Sequence, residues 1–218
     1  MRVLVACEFS GTVRDAFRRH GHDAWSCDVP DKIAEGEFYK YHFYEDCRDV
    51  FILHWDLIIA HPPCTYLTNS GAKHLYIDMR AENGINEERV YQMQQGGDLF
   101  LACWEANAKA VCVENPVMHG MAMDYIRKRT THDPFAKTTR QSVHPYWFGY
   151  TETKATGLSR RNLPALKATK WVKDETMALP YAERAKVHYA SPGPYRSDNR
   201  SRTNPGMAEA MAEQWGSL

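Results

Sequence analysis

The sequence predicts an α/β fold with a mostly parallel sheet, joined to an irregular basic C-terminal region. Short apolar runs alternate with amphipathic ones over roughly the first 120 residues, which is the pattern of strands connected by crossover helices. Each apolar run ends abruptly in acidic, small or proline residues, as buried strands do. Beyond about residue 125 the periodicity fades while Lys, Arg and Pro accumulate.

RVLVAC (2–7) reads as a fully buried strand, and GTVRDAFRRHG (11–21) as a helix packing through Val13 and Phe17 and closing at Gly21. HDAWSCD (22–28) is a second strand ending in Asp28. YHFYEDCRDVF (41–51) reads as a strand running into a loop at Asp49. DLIIA (56–60) is another buried strand, halted by His61-Pro62-Pro63, with Cys64 next. Residues 70–84 read as a polar loop. Residues 85–108 form a long helix, weakened by Gly96-Gly97. AVCVEN (110–115) is a strand stopping at Pro116. QSVHPYWFGY (141–150) is strand-like, and residues 151–204 show few periodic runs. NPGMAEAMAEQWG (204–216) is a helix with Asn204 as N-cap and Pro205 in its first turn.

The 218 residues suffice for one large domain, read as an α/β core over 1–124, a basic aromatic region over 125–204 and a terminal helix over 205–218 that packs back on the core. No apolar run is long enough to span a membrane, and the N-terminus lacks the regions of a signal peptide; a cytoplasmic protein is expected. The six cysteines include no C-x-x-C pair, so no structural zinc site and no disulfide framework is expected. The zero net charge hides an asymmetry. Residues 1–124 hold 11 Lys and Arg against 19 Asp and Glu, residues 125–204 hold 16 against 6, and the last 14 residues are net −2. The basic stretch is interleaved with aromatics, which suits phosphate contacts and base stacking; a solvated basic surface over aromatic core residues is the other reading. RSDNRSR (196–202), with Arg200 and Arg202, is either a phosphate-binding loop or a solvated linker.

Ligands of open parallel sheets bind at the carboxyl ends of the strands. Those ends carry Glu8-Phe9-Ser10-Gly11, Asp28, Asp49, Cys64 and Glu114-Asn115. Ser10 and Gly11 leave room for a ligand near a helix N-terminus, Asp28 is placed for ribose hydroxyls, and Asp49 for an exocyclic amine; together they suit a nucleoside cofactor. A Cys64 thiolate beside a Glu114 carboxyl suits covalent attack on C6 of a pyrimidine, which makes C5 able to accept a methyl group. The pair His61-x-x-Cys64 also reads as a metal half-site, though no second Cys/His pair lies nearby.

The order of these motifs resembles the cytosine-C5 DNA methyltransferase family. EFSG (8–11) resembles its cofactor loop, DLIIAHPPC (56–64) its nucleophile motif and VENP (113–116) its E-N-V motif; the terminal helix resembles the one that returns to the cofactor pocket. The likeness is strongest to short phage and prophage-type members. It implies a Rossmann-like S-adenosylmethionine-dependent methyltransferase fold, DNA as partner, Cys64 as nucleophile and Glu114 as the residue gripping N3 and the 4-amino group. It also implies Glu8, Phe9, Ser10, Gly11, Asp28, Asp49 and Pro62 around S-adenosylmethionine, and Pro63, Asn115, Arg140, Arg200 and Arg202 toward the substrate. The chain departs from the pattern at Val13, His61 and Thr65, shows no clear Q-x-R-x-R motif, and leaves little room for a large target-recognition domain. The same chemistry on RNA or a free cytidine nucleotide, and a non-catalytic nucleic-acid-binding protein, are the alternatives.

Overall fold

The structure, a computed structural model, describes residues 1–186 and 202–217. Seven strands form one sheet: β1 (Arg2–Ala6), β2 (Asp23–Asp28), β3 (His42–Tyr44), β4 (Trp55–Ala60), β5 (Ala108–Asn115), β6 (Arg140–Val143) and β7 (Thr156–Arg161). Their order is β3-β2-β1-β4-β5-β7-β6, and β7 alone runs antiparallel to its neighbours. This is the mostly parallel, Rossmann-like α/β sheet expected from the sequence, with the order reversing between β1 and β4.

Helices cover both faces, as a parallel sheet buried on both sides requires. Leu4, Ala6, Ile58, Ala60, Val111 and Val113 face a layer containing α2 (Cys47–Val50), α3 (Glu87–Glu105) and α4 (Gly120–Arg127). Val3, Val5, Leu57, Ile59 and Cys112 alternate to the other face, against α1 (Thr12–Arg19) and α7 (Pro205–Trp215). Two short helices, α5 (Lys173–Ala178) and α6 (Tyr181–Arg184), complete the described residues. The Asn204 side chain accepts from the Gly206 and Met207 amides at the start of α7, and Arg19 reaches from α1 to Glu209.

Four features differ from the sequence reading. The region read as irregular beyond residue 124 contributes two strands, β6 and β7, to the same sheet. The segment 141–150 yields only the end of β6 and a 3-10 turn at Pro145–Trp147, because Pro145 lacks the amide needed to continue the ladder. The loop 70–84 is wound into three 3-10 turns. Asp49 lies exposed within α2 rather than at a strand end; Asp46 caps that helix by accepting from the Arg48 amide. No helix among the described residues is long and apolar enough to cross a membrane.

Candidate active site

Parallel register aligns the strand ends. Ala6 pairs with Ala60, and Ala60 with Val113. The next residues, Cys7, His61 and Glu114, therefore stand in one row at the sheet's carboxyl edge. They open on a cavity of about 1620 Å3 whose wall includes Phe9, Asp28, Pro62, Pro63, Cys64 and Glu114. Residues far apart in sequence thus meet where the fold places ligands.

Cys64 is half-buried in a tight turn, its carbonyl accepting from the amides of Leu67 and Thr68. The two prolines before it stiffen the exit from β4. The loop is stitched to the chain leaving β5: the Asn69 amide donates to Val117 and the His119 amide to Leu67. Arg89, from α3, donates to the Thr65 carbonyl and stacks on Tyr66. The thiol and Glu114 are thus carried on segments fastened to each other.

Burial would raise the pKa of Glu114, but His61, Lys154 and Thr156 together outweigh it and hold the carboxyl below its ordinary range. His61 Nδ1 stands 3.6 Å from Glu114 Oε2, an ion-pair approach too long for a good hydrogen bond. His61 also faces Glu8, whose pKa is raised by burial and lowered less by His61 and the helix amides. Beside Glu114, both polar atoms of the fully buried Asn115 amide lack a partner among the described residues. Such a group is explained by a ligand or water.

The cofactor-loop residues divide by role. Phe9 faces the main cavity, with the Arg202 guanidinium 5.2 Å from its ring centre and Lys32 5.4 Å away. Glu8 accepts from the amides of Val13 and Arg14 at 2.7 and 3.3 Å, so its carboxylate satisfies the N-terminus of α1. Ser10 bonds Glu8 and Thr12. The room left by Gly11, at φ 69°, is filled by the Arg14 guanidinium and the Glu35 carbonyl rather than open to a ligand. Glu8 and Ser10 also line a small crevice with Cys7, Phe9 and His61. Asp28 lines the main cavity, its pKa raised by burial, with one oxygen accepting from the Val29 amide. Asp49 is not on the cavity wall.

Among the residues expected at the substrate, Pro63 is exposed on the rim. The Arg140 guanidinium lies over Gly157, where any side chain would collide with it, and reaches the Pro116 carbonyl at 3.5 Å. Burial lowers the Arg140 pKa, and Glu114 opposes that shift. Arg202 lines the cavity but grips Glu35 with two bonds of 2.6 and 2.9 Å. Arg200 lies outside the described residues. His61, Lys154 and Thr156 were not assigned to the site from the sequence. Only His61 carried a signal, as an ionisable residue directly before Pro-Pro.

No family model matches the chain, and no curated protein matches it. Solved structures do resemble it in shape. A candidate DNA modification methyltransferase encoded within an E. coli prophage superposes with a TM-score of 0.44 at 14% identity, covering 83% of this chain and 56% of that one. The S. pombe Dnmt2 methyltransferase gives a TM-score of 0.40 at 14% identity, covering 88% of this chain and 56% of that one. The chain therefore spans a little over half the length of each. Likeness this distant says nothing about substrate.

Proposed function

We propose that this protein transfers a methyl group from S-adenosylmethionine to C5 of cytosine in DNA through a covalent Cys64 adduct. The observation that carries the reading is one cavity wall holding Cys64, Glu114, Phe9 and Asp28 at the carboxyl edge of the sheet. The residues present fit the cofactor: Asp28 offers a carboxylate to ribose hydroxyls and Phe9 an aromatic face beside two cations. When bound, S-adenosylmethionine supplies an electrophilic methyl group to the nucleophilic C5.

The Cys64 thiolate adds to C6 of a flipped-out cytosine, the base conformation that exposes this atom. Glu114, ionised in the free protein, takes up a proton as the docking base excludes water, holds N3 and passes it that proton, so the electron pair displaced from the C5–C6 double bond is not left as a free carbanion. The unpaired Asn115 amide lies next to this point and offers both a donor and an acceptor. Loss of the C5 proton to water then expels the Cys64 thiolate, and return of the N3 proton to Glu114 restores the ring. The stiff His61-Pro62-Pro63 turn holds the thiol at a fixed height against the base.

Trapping tests the reading. A duplex containing 5-fluorocytosine cannot lose a proton from C5, so the wild type should accumulate a covalent adduct that survives denaturation and maps to Cys64. Cys64→Ser should form none, and Glu114→Gln should slow methyl transfer by about 10²–10⁴-fold, the usual worth of a positioned acid. A Cys64→Ser variant that still methylates cytosine C5 overturns the covalent mechanism. Activity confined to RNA or free cytidine nucleotides moves the substrate. No transfer to any of them leaves nucleic-acid binding without catalysis.

A further inference from the structure

We propose that Cys7, Cys47 and Cys103 form a binding site for a thiophilic divalent cation, Zn2+, with its fourth position open toward the cavity. The three residues lie just after β1, at the start of α2 and near the end of α3. Their sulfur atoms all lie within 4.8 Å of one another, and Cys7 Sγ is 3.9 Å from Cys47 Sγ. Zinc–thiolate bonds of about 2.3 Å at a tetrahedral angle place two sulfurs about 3.8 Å apart. The triad has the dimensions of a three-thiolate cage before its metal draws it together.

The competing account is that buried cysteines pack as small apolar groups. That account leaves the Cys7 backbone unexplained. Along β1, Leu4 and Ala6 face the α3 layer, while Val3 and Val5 face the α1 layer. Simple alternation would send Cys7 with the valines. Cys7 instead adopts φ +57°, in the left-handed region, and packs against the α3 layer with Cys47 and Cys103. A left-handed non-glycine residue is strained and persists only where the surroundings impose it. Here the unusual backbone delivers a thiol to two other thiols.

Thiolate is the ligand form. Binding would release three thiol protons and leave a metal–trithiolate with a single negative charge, so affinity should rise with pH. Cys47 and Cys103 are buried, whereas Cys7 is partly buried and lines the cavity, which supplies an entry path and a place for water as fourth ligand. The ion would tie the Glu8–Gly11 loop to α2 and α3. The proposal does not rest on methyl transfer.

The test uses the full chain, purified under reducing conditions, stripped with chelator and reloaded with Zn2+ or Co2+. One tightly held Zn2+ per chain is expected. Co2+ should give an intense sulfur-to-cobalt charge-transfer band and the visible bands of a tetrahedral site, and Zn2+ should raise the melting temperature. Cys7→Gly suits the left-handed backbone and removes only the thiol. It and Cys47→Ser should weaken Zn2+ binding by roughly 100-fold or more, since even outer-shell losses cost 10–100-fold. Cys112→Ala, buried elsewhere, should bind as the wild type does. Absence of the charge-transfer band in the wild type overturns the proposal, whether or not the variants fold. So does undiminished metal binding by Cys7→Gly and Cys47→Ser.

Discussion

Glu114 is pulled in opposite directions. Burial favours its neutral form, which can donate to a ring nitrogen; His61, Lys154 and Thr156 favour the carboxylate and prevail. The free protein therefore holds Glu114 ionised around neutral pH, with His61 as its nearest cationic partner when protonated. Replacing His61 with Asn removes the leading counterweight to burial, so the Glu114 pKa should rise. The sign for stability follows. A depressed carboxyl contributes stability that is present above its unfolded pKa and lost as pH falls through its folded one. With the depression relieved, that contribution shrinks, and the acid-side loss due to Glu114 shrinks with it. Carbon-13 titration of Glu114 should show the midpoint moving upward in His61→Asn, and the acidic limb of the rate profile should move with it. An unchanged midpoint would mean that His61 does not tune Glu114. The sequence displayed Cys64 and Glu114 because each sits in a short local motif. It could not display their neighbours: Lys154 and Thr156 come from a stretch without periodicity.

At the level of elements, the loop after β1 does two jobs with alternate side chains. Phe9 looks into the cavity, while Glu8 and Ser10 turn inward and terminate α1. Gly11, the N-cap, has no side chain to satisfy the helix amides, so Glu8 does so from three residues upstream. Glu8→Ala should remove that anion and destabilise the protein by about 1–3 kcal/mol, the cost of buried amides left unpaired. Chemical denaturation would measure it, and a loss within a few tenths would refute the capping role. Strands with continuous apolar runs, such as LIIA in β4, were legible. β7 was not, because TGLSRR has one large apolar side chain and ends in two arginines. Those arginines are taken up by carbonyls, Arg160 by Leu163 and Arg161 by Ala106. α4 was missed because its N-cap is His119 rather than a common capping residue, and the His119 ring accepts from the Ala122 amide. The thiol triad was hidden for another reason: its members are 40 and 56 residues apart, and spacing rules see only local pairs.

Across the whole molecule, a mostly parallel sheet was expected from the sequence but its strand order was not, and the function of the basic half depends on which of its cations meet phosphate. Arg160 and Arg161 are committed to backbone carbonyls, Arg202 grips Glu35, and Arg140 is half-buried behind Glu114. The aromatics divide too: Tyr146 and Phe148 belong to the core, while Trp171 and Tyr181 are exposed and Tyr150 lines the cavity. The excess of Lys and Arg over residues 125–204 therefore overstates the binding surface, and a moderate salt dependence is expected rather than an extreme one. If roughly five cations meet phosphates, log K should fall with log salt at a slope of about −4.5. Anisotropy of a labelled duplex, titrated across a series of salt concentrations, measures that slope. Scrambling the duplex sequence should change affinity little, because phosphate contacts carry no base information. Lys154→Ala should flatten the slope by about one unit if this cavity-lining cation meets a phosphate. It should also raise the Glu114 midpoint, because Lys154 helps hold that carboxyl ionised. A changed midpoint with an unchanged slope would assign Lys154 to Glu114 alone. A flat salt profile in the wild type would remove DNA as the partner of this surface.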